Sequence, residues 1–133
     1  MKYMLLLYAN EGMRPQYSPE QFQAVTGAWD SIKRDAEAAG VLVSAHGLTP
    51  IRDAISLRMR SGCRVVKNGV YTTTMDEEHL TGYYILECSH LEEAIDWAAR
   101  IPLAEYGTIQ IRPLENHLHG ETRPADTKPA VVD

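Results

Sequence analysis

The chain switches repeatedly between two hydrophobic periods, and the order of the switches predicts its elements. From Lys2 to Ala9 almost every position is apolar or aromatic, as in a strand buried on at least one face. After a loop with Gly12, Arg14 and Pro15, Ser18-Pro19-Glu20-Gln21 supplies an N-cap serine, a proline for the first helical position and the glutamine of a capping box. Phe22, Val25, Trp29, Ile32 and Ala36 then recur as one apolar stripe, with Trp29 in the core. Gly40 is placed to stop this helix after Ala39. A second strand is expected from Val41 to about His46, and Gly47 to Pro50 turns the chain. Ala54 to Met59 and Arg64 to Lys67 predict a hairpin about Ser61-Gly62, whose mixed alternation marks an edge feature. Asn68-Gly69 is a further turn signal. It opens a polar loop that runs into a strand from Thr81 to Cys88. Ser89-His90-Leu91-Glu92 reads as a second capping box, before a short helix that buries Leu91, Ala94, Ile95 and Ala98. Pro102 ends that helix, and Gly107 to Pro113 is the last strand.

The resulting order is β-α-β, an inserted hairpin, then β-α-β. This predicts an α+β domain of the ferredoxin-like, split βαβ kind, with two helices on one face of an antiparallel sheet. Residues 1–115 are expected to form that domain. From Asn116 the composition turns to His, Glu, Thr, Pro and Asp, which predicts a flexible tail over 116–133.

Alternation sorts each strand into a dry face and a mixed one. Tyr3, Leu5, Leu7, Val41, Val43, Ala45, Tyr84, Leu86, Cys88, Ile109 and Ile111 fall on the side that should meet the helices. Met4, Leu6, Tyr8, Leu42, Ser44, His46, Tyr83, Ile85, Glu87, Gln110 and Arg112 fall on the other. So much apolar surface on an open sheet is a liability in a monomer. The expected solution is a homodimer packed through this face around a half-polar cavity.

Composition narrows the partners. A net charge of −5 over 133 residues disfavours nucleic acid and anionic membranes, which require a basic surface. No stretch reaches the ~18 apolar residues of a membrane span. Cys63 and Cys88 lack metal or redox-motif spacing and read as reduced thiols, consistent with a cytoplasmic protein. No glycine-rich phosphate loop, nucleophile elbow or zincin motif is present, so no cofactor is expected. His117-x-His119 lacks a third ordered ligand, and no metal site is assigned to it.

Five segments together resemble the YCII-related, DGPF-domain family. They are Met1 to Tyr8, Ala38-Ala39-Gly40-Val41-Leu42-Val43, Leu80-Thr81-Gly82-Tyr83-Tyr84-Ile85-Leu86, Glu93 to Pro102, and Ile111-Arg112-Pro113. The resemblance implies a dimeric α/β barrel built from ferredoxin-like subunits. That superfamily hosts isomerases, cofactor-free monooxygenases and a dehydrochlorinase, so fold does not select a reaction. Where the family carries Asp-Gly-Pro-Phe, this chain has Asn68-Gly69-Val70-Tyr71. The family's helix histidine falls at Trp29. Neither Asn68 nor Trp29 transfers protons, so the chain resembles a divergent member with a rebuilt site.

The remaining chemistry-bearing residues suggest where the role has moved. His46 on the mixed face is the first candidate acid–base group, ahead of His79 at the end of the polar loop after Asn68-Gly69 (the focal loop), with Asp76 beside His79 in the Asp76-Glu77-Glu78-His79 run. A solvated charge cluster is the plainer meaning of that run. Tyr8, Ser44, Tyr71, Tyr83, Glu87 and Arg112 are candidate substrate contacts, the tyrosines offering an apolar wall with a polar tip. Their plainer role is interface packing, with Arg112 paired to Glu87. Arg14 and Arg58 are placed at the rim. The leading functional expectation is a small cofactor-independent enzyme that moves a proton on a small organic, aromatic or polyketide-like substrate, as an isomerase, cyclase or lyase. A non-catalytic ligand-binding or accessory protein is the alternative, and a cofactor-free monooxygenase the third.

Overall fold

The computed structural model describes residues 1–71 and 77–115, apart from the side chain of Met13. The polar positions 72–76, Asp76 among them, and the whole expected tail lie outside the described residues. The main sheet has four strands: β1 (Lys2–Ala9), β2 (Leu42–Gly47), β5 (His79–Glu87) and β6 (Thr108–Pro113). Between β2 and β5 the chain forms a separate pair, β3 (Ile55–Arg60) and β4 (Cys63–Asn68). Helix α1 (Pro19–Ala38) joins β1 to β2, and α2 (Leu91–Ala99) joins β5 to β6. The spatial order is β2-β5-β1-β6, with every pair antiparallel. Each helix thus crosses over one intervening strand, which is the ferredoxin-like arrangement.

Local signals account for most element ends. The Ser18 capping box is formed in full, with Gln21 N donating to Ser18 Oγ at 3.1 Å and Ser18 N donating to Gln21 Oε1 at 2.9 Å. Gly40 takes φ +73° beyond α1, a left-handed conformation that glycine adopts without steric cost. The second cap sits one residue later than the sequence predicts. His90, not Ser89, is the N-cap, and its Nδ1 accepts from Glu93 N at 3.2 Å. The Glu93 carboxylate reaches back to Ser89 N at 2.9 Å. The imidazole takes the capping role expected of a hydroxyl, and Glu93 reaches one residue beyond the N-cap, so the reciprocal box is not closed.

The core lies between the helices and one face of the main sheet. Tyr3, Leu5, Leu7 and Ala9 of β1 meet Tyr84, Leu86 and Cys88 of β5 and its end, with Ile32, Ala94, Ala98, Ile101 and Leu103 above them. Leu5, Leu86 and Ile101 are fully buried. Trp29 packs against this cluster half-buried, but Phe22 is 62% exposed, so the apolar stripe of α1 meets the core only in its later turns. Ile95 of α2 is likewise exposed, and Trp97 packs against the core instead.

Two irregularities alter the face assignment. Between Leu42 and Ser44 the β2–β5 register shifts, so Leu42 lies opposite Leu86 while Ser44 lies opposite Ile85. Directly opposed residues share a face. Leu42 therefore packs on the core side and Val43 is exposed, the reverse of strict alternation. A second shift follows Leu7, where Thr81 is left unopposed and its Oγ1 donates to Leu7 O at 3.1 Å. The rest of the open face stands as alternation predicts. Met4, Leu6 and Tyr8 lie beside Tyr83 and Ile85 on one side and Thr108, Gln110 and Arg112 on the other.

The hairpin is not an edge of the main sheet, since β3 and β4 pair only with each other. Ser61 at φ 50° and Gly62 at φ 75° form its turn, both in the left-handed region that suits a two-residue hairpin. Ile55, Leu57 and Met59 lie on one side with Val66, and Ser56 and Arg58 on the other with Lys67 and Val65. Among the described residues no helix is long and apolar enough to cross a membrane.

Three tests follow from this packing. A Cβ on Gly107 would lie 2.3 Å from Tyr8 O and 2.8 Å from Leu103 Cδ2, so the start of β6 seats on β1 only with glycine there. Gly107→Ala is expected to lower unfolding stability in urea by about 2 kcal/mol or more. Burial, with Glu93 adding to it, pushes the Cys88 thiol up, and burial also raises the Tyr84 phenol. The fold therefore favours both protonated forms, and stability should decline as pH rises past the ordinary thiol and phenol ranges. At neutral pH a thiol reagent should modify exposed Cys63 rapidly and Cys88 only on unfolding.

Candidate functional site

A cleft of about 1020 Å³ opens where the ends of the main sheet approach the hairpin. Its floor is the end of the open face, with Tyr8 and Leu80 on the central strands and Thr108 and Gln110 on β6. The connection after β2 forms a second wall through Leu48, Thr49, Pro50 and Ile51. Ala54, Ser56, Leu57 and Arg58 of the hairpin side close a third, and Val70, Tyr71, Glu78 and His79 come from the two ends of the focal loop.

Short-range hydrogen bonds set these walls. Leu48 N donates to Thr81 O at 2.8 Å, holding the connection against β5. Ile51 N donates to the Glu11 carboxylate, at 3.1 Å to Oε2 and 3.3 Å to Oε1, tying the wall to the loop after β1. Gly69 N donates to Ala54 O at 2.7 Å and closes the hairpin base. Ser56 Oγ donates to Gly69 O at 2.6 Å. Gly69 at φ +97° then turns the chain toward Tyr71. The Arg58 guanidinium lies 3.6 Å from the centre of the Tyr71 ring, and Lys67 Nζ lies 4.9 Å from the same centre. Such stacking fixes the ring and the guanidinium together.

Several expected site residues meet here. Tyr8, Tyr71 and His79 all line the cleft. His79 opens β5 opposite Ala9, half-buried, with Glu78 immediately before it on the lining. The register shift at Leu7 and Tyr8 places Leu80 opposite Tyr8, which brings the start of β5 onto the floor.

His46, Ser44 and Tyr83 form a different group, on the open face between β2 and β5. The His46 and Tyr83 rings are 5.7 Å apart and tilted by 47°, and the Ser44 and Tyr83 hydroxyls approach to 3.5 Å. His46 is exposed and does not line the cleft, so the two histidines do not share it. Glu87 and Arg112 lie at the far end of the open face. Glu87 Oε2 is 3.6 Å from the N-terminal ammonium, and Arg112 is opposite Met4, so Glu87 has a partner other than Arg112. Asp76 and the His117-x-His119 pair lie outside the described residues.

Sequence reading underrated the hairpin. Arg58, placed only at the rim, proves to be a cleft residue with a defined stacking partner. The signal was present in the alternation of Ser56 and Arg58 against Leu57 and Met59, but nothing local says which hairpin face turns inward. Gln110 and Thr108 reach the floor because β6 pairs with the far side of β1, a non-local fact.

An uncharacterized protein of Rhizobium meliloti (strain 1021) is 31% identical to this chain over 123 residues, covering 91% of it and 98% of the relative. The YCII-related domain matches residues 1–117, the whole span from β1 through β6. With the strand order above, this establishes that the chain belongs to the YCII-related family.

Proposed function

We propose that the cleft is the reaction site of a small, cofactor-independent enzyme that moves a proton on a small organic substrate. The observation that supports this reading is that His79 lines a cleft of about 1020 Å³ that Tyr8 and Tyr71 also line. That volume suits a metabolite rather than a polymer. Imidazole is the side chain whose charge changes near neutrality, which matches it to taking a proton from carbon and returning it elsewhere. In this reading His79 abstracts the proton next to a carbonyl. The Tyr8 hydroxyl donates to the enolate oxygen, stabilising charge where it develops. Tyr71 and Leu80 supply apolar walls. The family's acid–base positions are Asn68 and Trp29 here, and His79 takes over the proton-transfer role.

The same reading includes a homodimer through the open face. The helices cover only one side of the main sheet, leaving Met4, Leu6 and Ile85 on the other. Burying such side chains contributes about 25 cal/mol per Å² of apolar surface. Leu42 is absent from this surface because of the β2 bulge, while Met4 stays on it opposite Ile85. In the dimer His46, Ser44 and Tyr83 would be covered by the partner and serve the interface.

Sedimentation at micromolar concentration should show a dimer, and Leu6→Lys with Ile85→Glu should shift it to monomer. A stable wild-type monomer would refute the packing. For the chemistry, the protein is incubated in D₂O with pyruvate, acetoacetate and phenylpyruvate, and deuterium uptake is followed by proton NMR. Wild type should accelerate exchange of at least one probe over buffer, His79→Ala should lose about 100-fold, and His46→Ala should retain the rate. No acceleration of any probe would leave the cleft as a binding site in a non-catalytic protein.

A further inference from the structure

We propose that the cleft selects a small organic carboxylate, and that the Arg58 guanidinium receives its charge. The proposal rests on the cleft being the ligand site and adds the substrate class to that reading.

The chain as a whole carries net charge −5, so a cation facing a concave site is not a sample of a basic surface. Arg58 is half-buried on the hairpin, within the cleft lining. Its register places it on the same hairpin side as Ser56 and Lys67, opposite the side of Ile55, Leu57 and Met59. Among the described residues no carboxylate lies within ion-pair distance of the guanidinium. A partly exposed guanidinium with no carboxylate beside it keeps its charge available to an anion that enters the cleft. Glu78 also lines the cleft and is engaged in an interaction of its own.

The contact that Arg58 does make leaves its donors free. The guanidinium carbon lies over the Tyr71 ring, 3.6 Å from its centre, a contact that takes up no N–H hydrogen bond. The N–H groups point along the edges of the guanidinium plane and match the two oxygens of a carboxylate. Stacking therefore fixes the orientation of the fork without consuming its hydrogen bonds. The support behind Tyr71 is rigid for the same purpose. Ser56 Oγ and Ala54 O both engage Gly69, the residue from which the chain turns to Tyr71. Lys67 Nζ, 4.9 Å from the ring centre, adds a second positive charge on the same side. Tyr71 and Val70 then offer the apolar surface that the rest of a small aromatic or aliphatic acid would cover.

The test uses benzoate and its neutral isostere benzamide as probes, with affinity read by NMR titration of the intact protein. Wild type is expected to prefer benzoate by about tenfold or more, the scale of a charge-assisted pair of hydrogen bonds. Arg58→Gln should abolish the preference while keeping the melting temperature within a few degrees. Arg58→Lys should restore part of it, because the charge remains and the planar fork does not. Equal affinity of wild type for the two probes overturns the proposal. So does a benzoate preference that survives Arg58→Gln. Because binding is the readout, a wild type that prefers benzoate through Arg58 but exchanges no protons supports the anion site and removes only the proton-transfer reading.

Discussion

The antiparallel pairing of β1 with β5 at the centre of the sheet is the constraint on which the rest of the molecule depends. Leu5 and Leu86 are fully buried on it, and Ala94, Ala98 and Ile32 close over them from the two helices. Truncating a leucine in such a position typically costs 2–5 kcal/mol, a large share of the stability of a domain this size. Because both crossovers carry their helices to the same side, that side becomes dry and the other stays open. The core and the unpartnered face are therefore two results of one pairing.

Where the pairing slips, the site begins. At the shift after Leu7, Thr81 leaves the ladder and hydrogen-bonds Leu7 O through its hydroxyl. Bulges of this kind re-aim the residues that follow them. Here the shift sets Leu80 opposite Tyr8 on the open face, while His79, opposite Ala9, lines the cleft from the first position of β5. The second shift, at Leu42, moves an apolar side chain from the open face into the core. The open face is thereby left more polar on its β2 side, where Ser44 and His46 meet Tyr83.

The inserted hairpin has the opposite character. It contributes no buried residue to the core, and its outer side leaves Ile55 71% exposed and Met59 57% exposed. Its inner side carries Ser56 and Arg58 into the cleft. Such an arm tolerates change of sequence at little cost to the fold, which suits it to setting what the cleft accepts. The replacement of the family's Asp-Gly-Pro-Phe by Asn68-Gly69-Val70-Tyr71 falls at the hairpin's exit. It removes a carboxylate and keeps an aromatic ring at the last position, where Arg58 lies over Tyr71.

Much of this was legible in the residues alone, for a common reason. Strand Lys2–Ala9, the Ser18 box, the Gly40 stop and the Ser61-Gly62 turn each depend on residues within a few positions of one another. The βαβ order followed from those local signals, and with it the ferredoxin-like topology, because few topologies satisfy the handedness of two crossovers. The shift of the second cap to His90 is the local case that failed, since imidazole is a less usual acceptor at that position than serine. Alternation also assigned the open face correctly at every strand except β2, where one unpaired residue reverses it. The site was less legible. Tyr8, Tyr71 and His79 were recognisable as chemistry, but their common place on the cleft depends on where β5 begins against β1 and on a hairpin that pairs only with itself. The sequence by itself determined the elements, their order and the side of the sheet that stays dry, since periodicity and caps act over short separations. The tertiary structure alone decided which histidine enters the cleft and that Arg58 stacks on Tyr71, because both depend on register and packing between segments far apart in the chain.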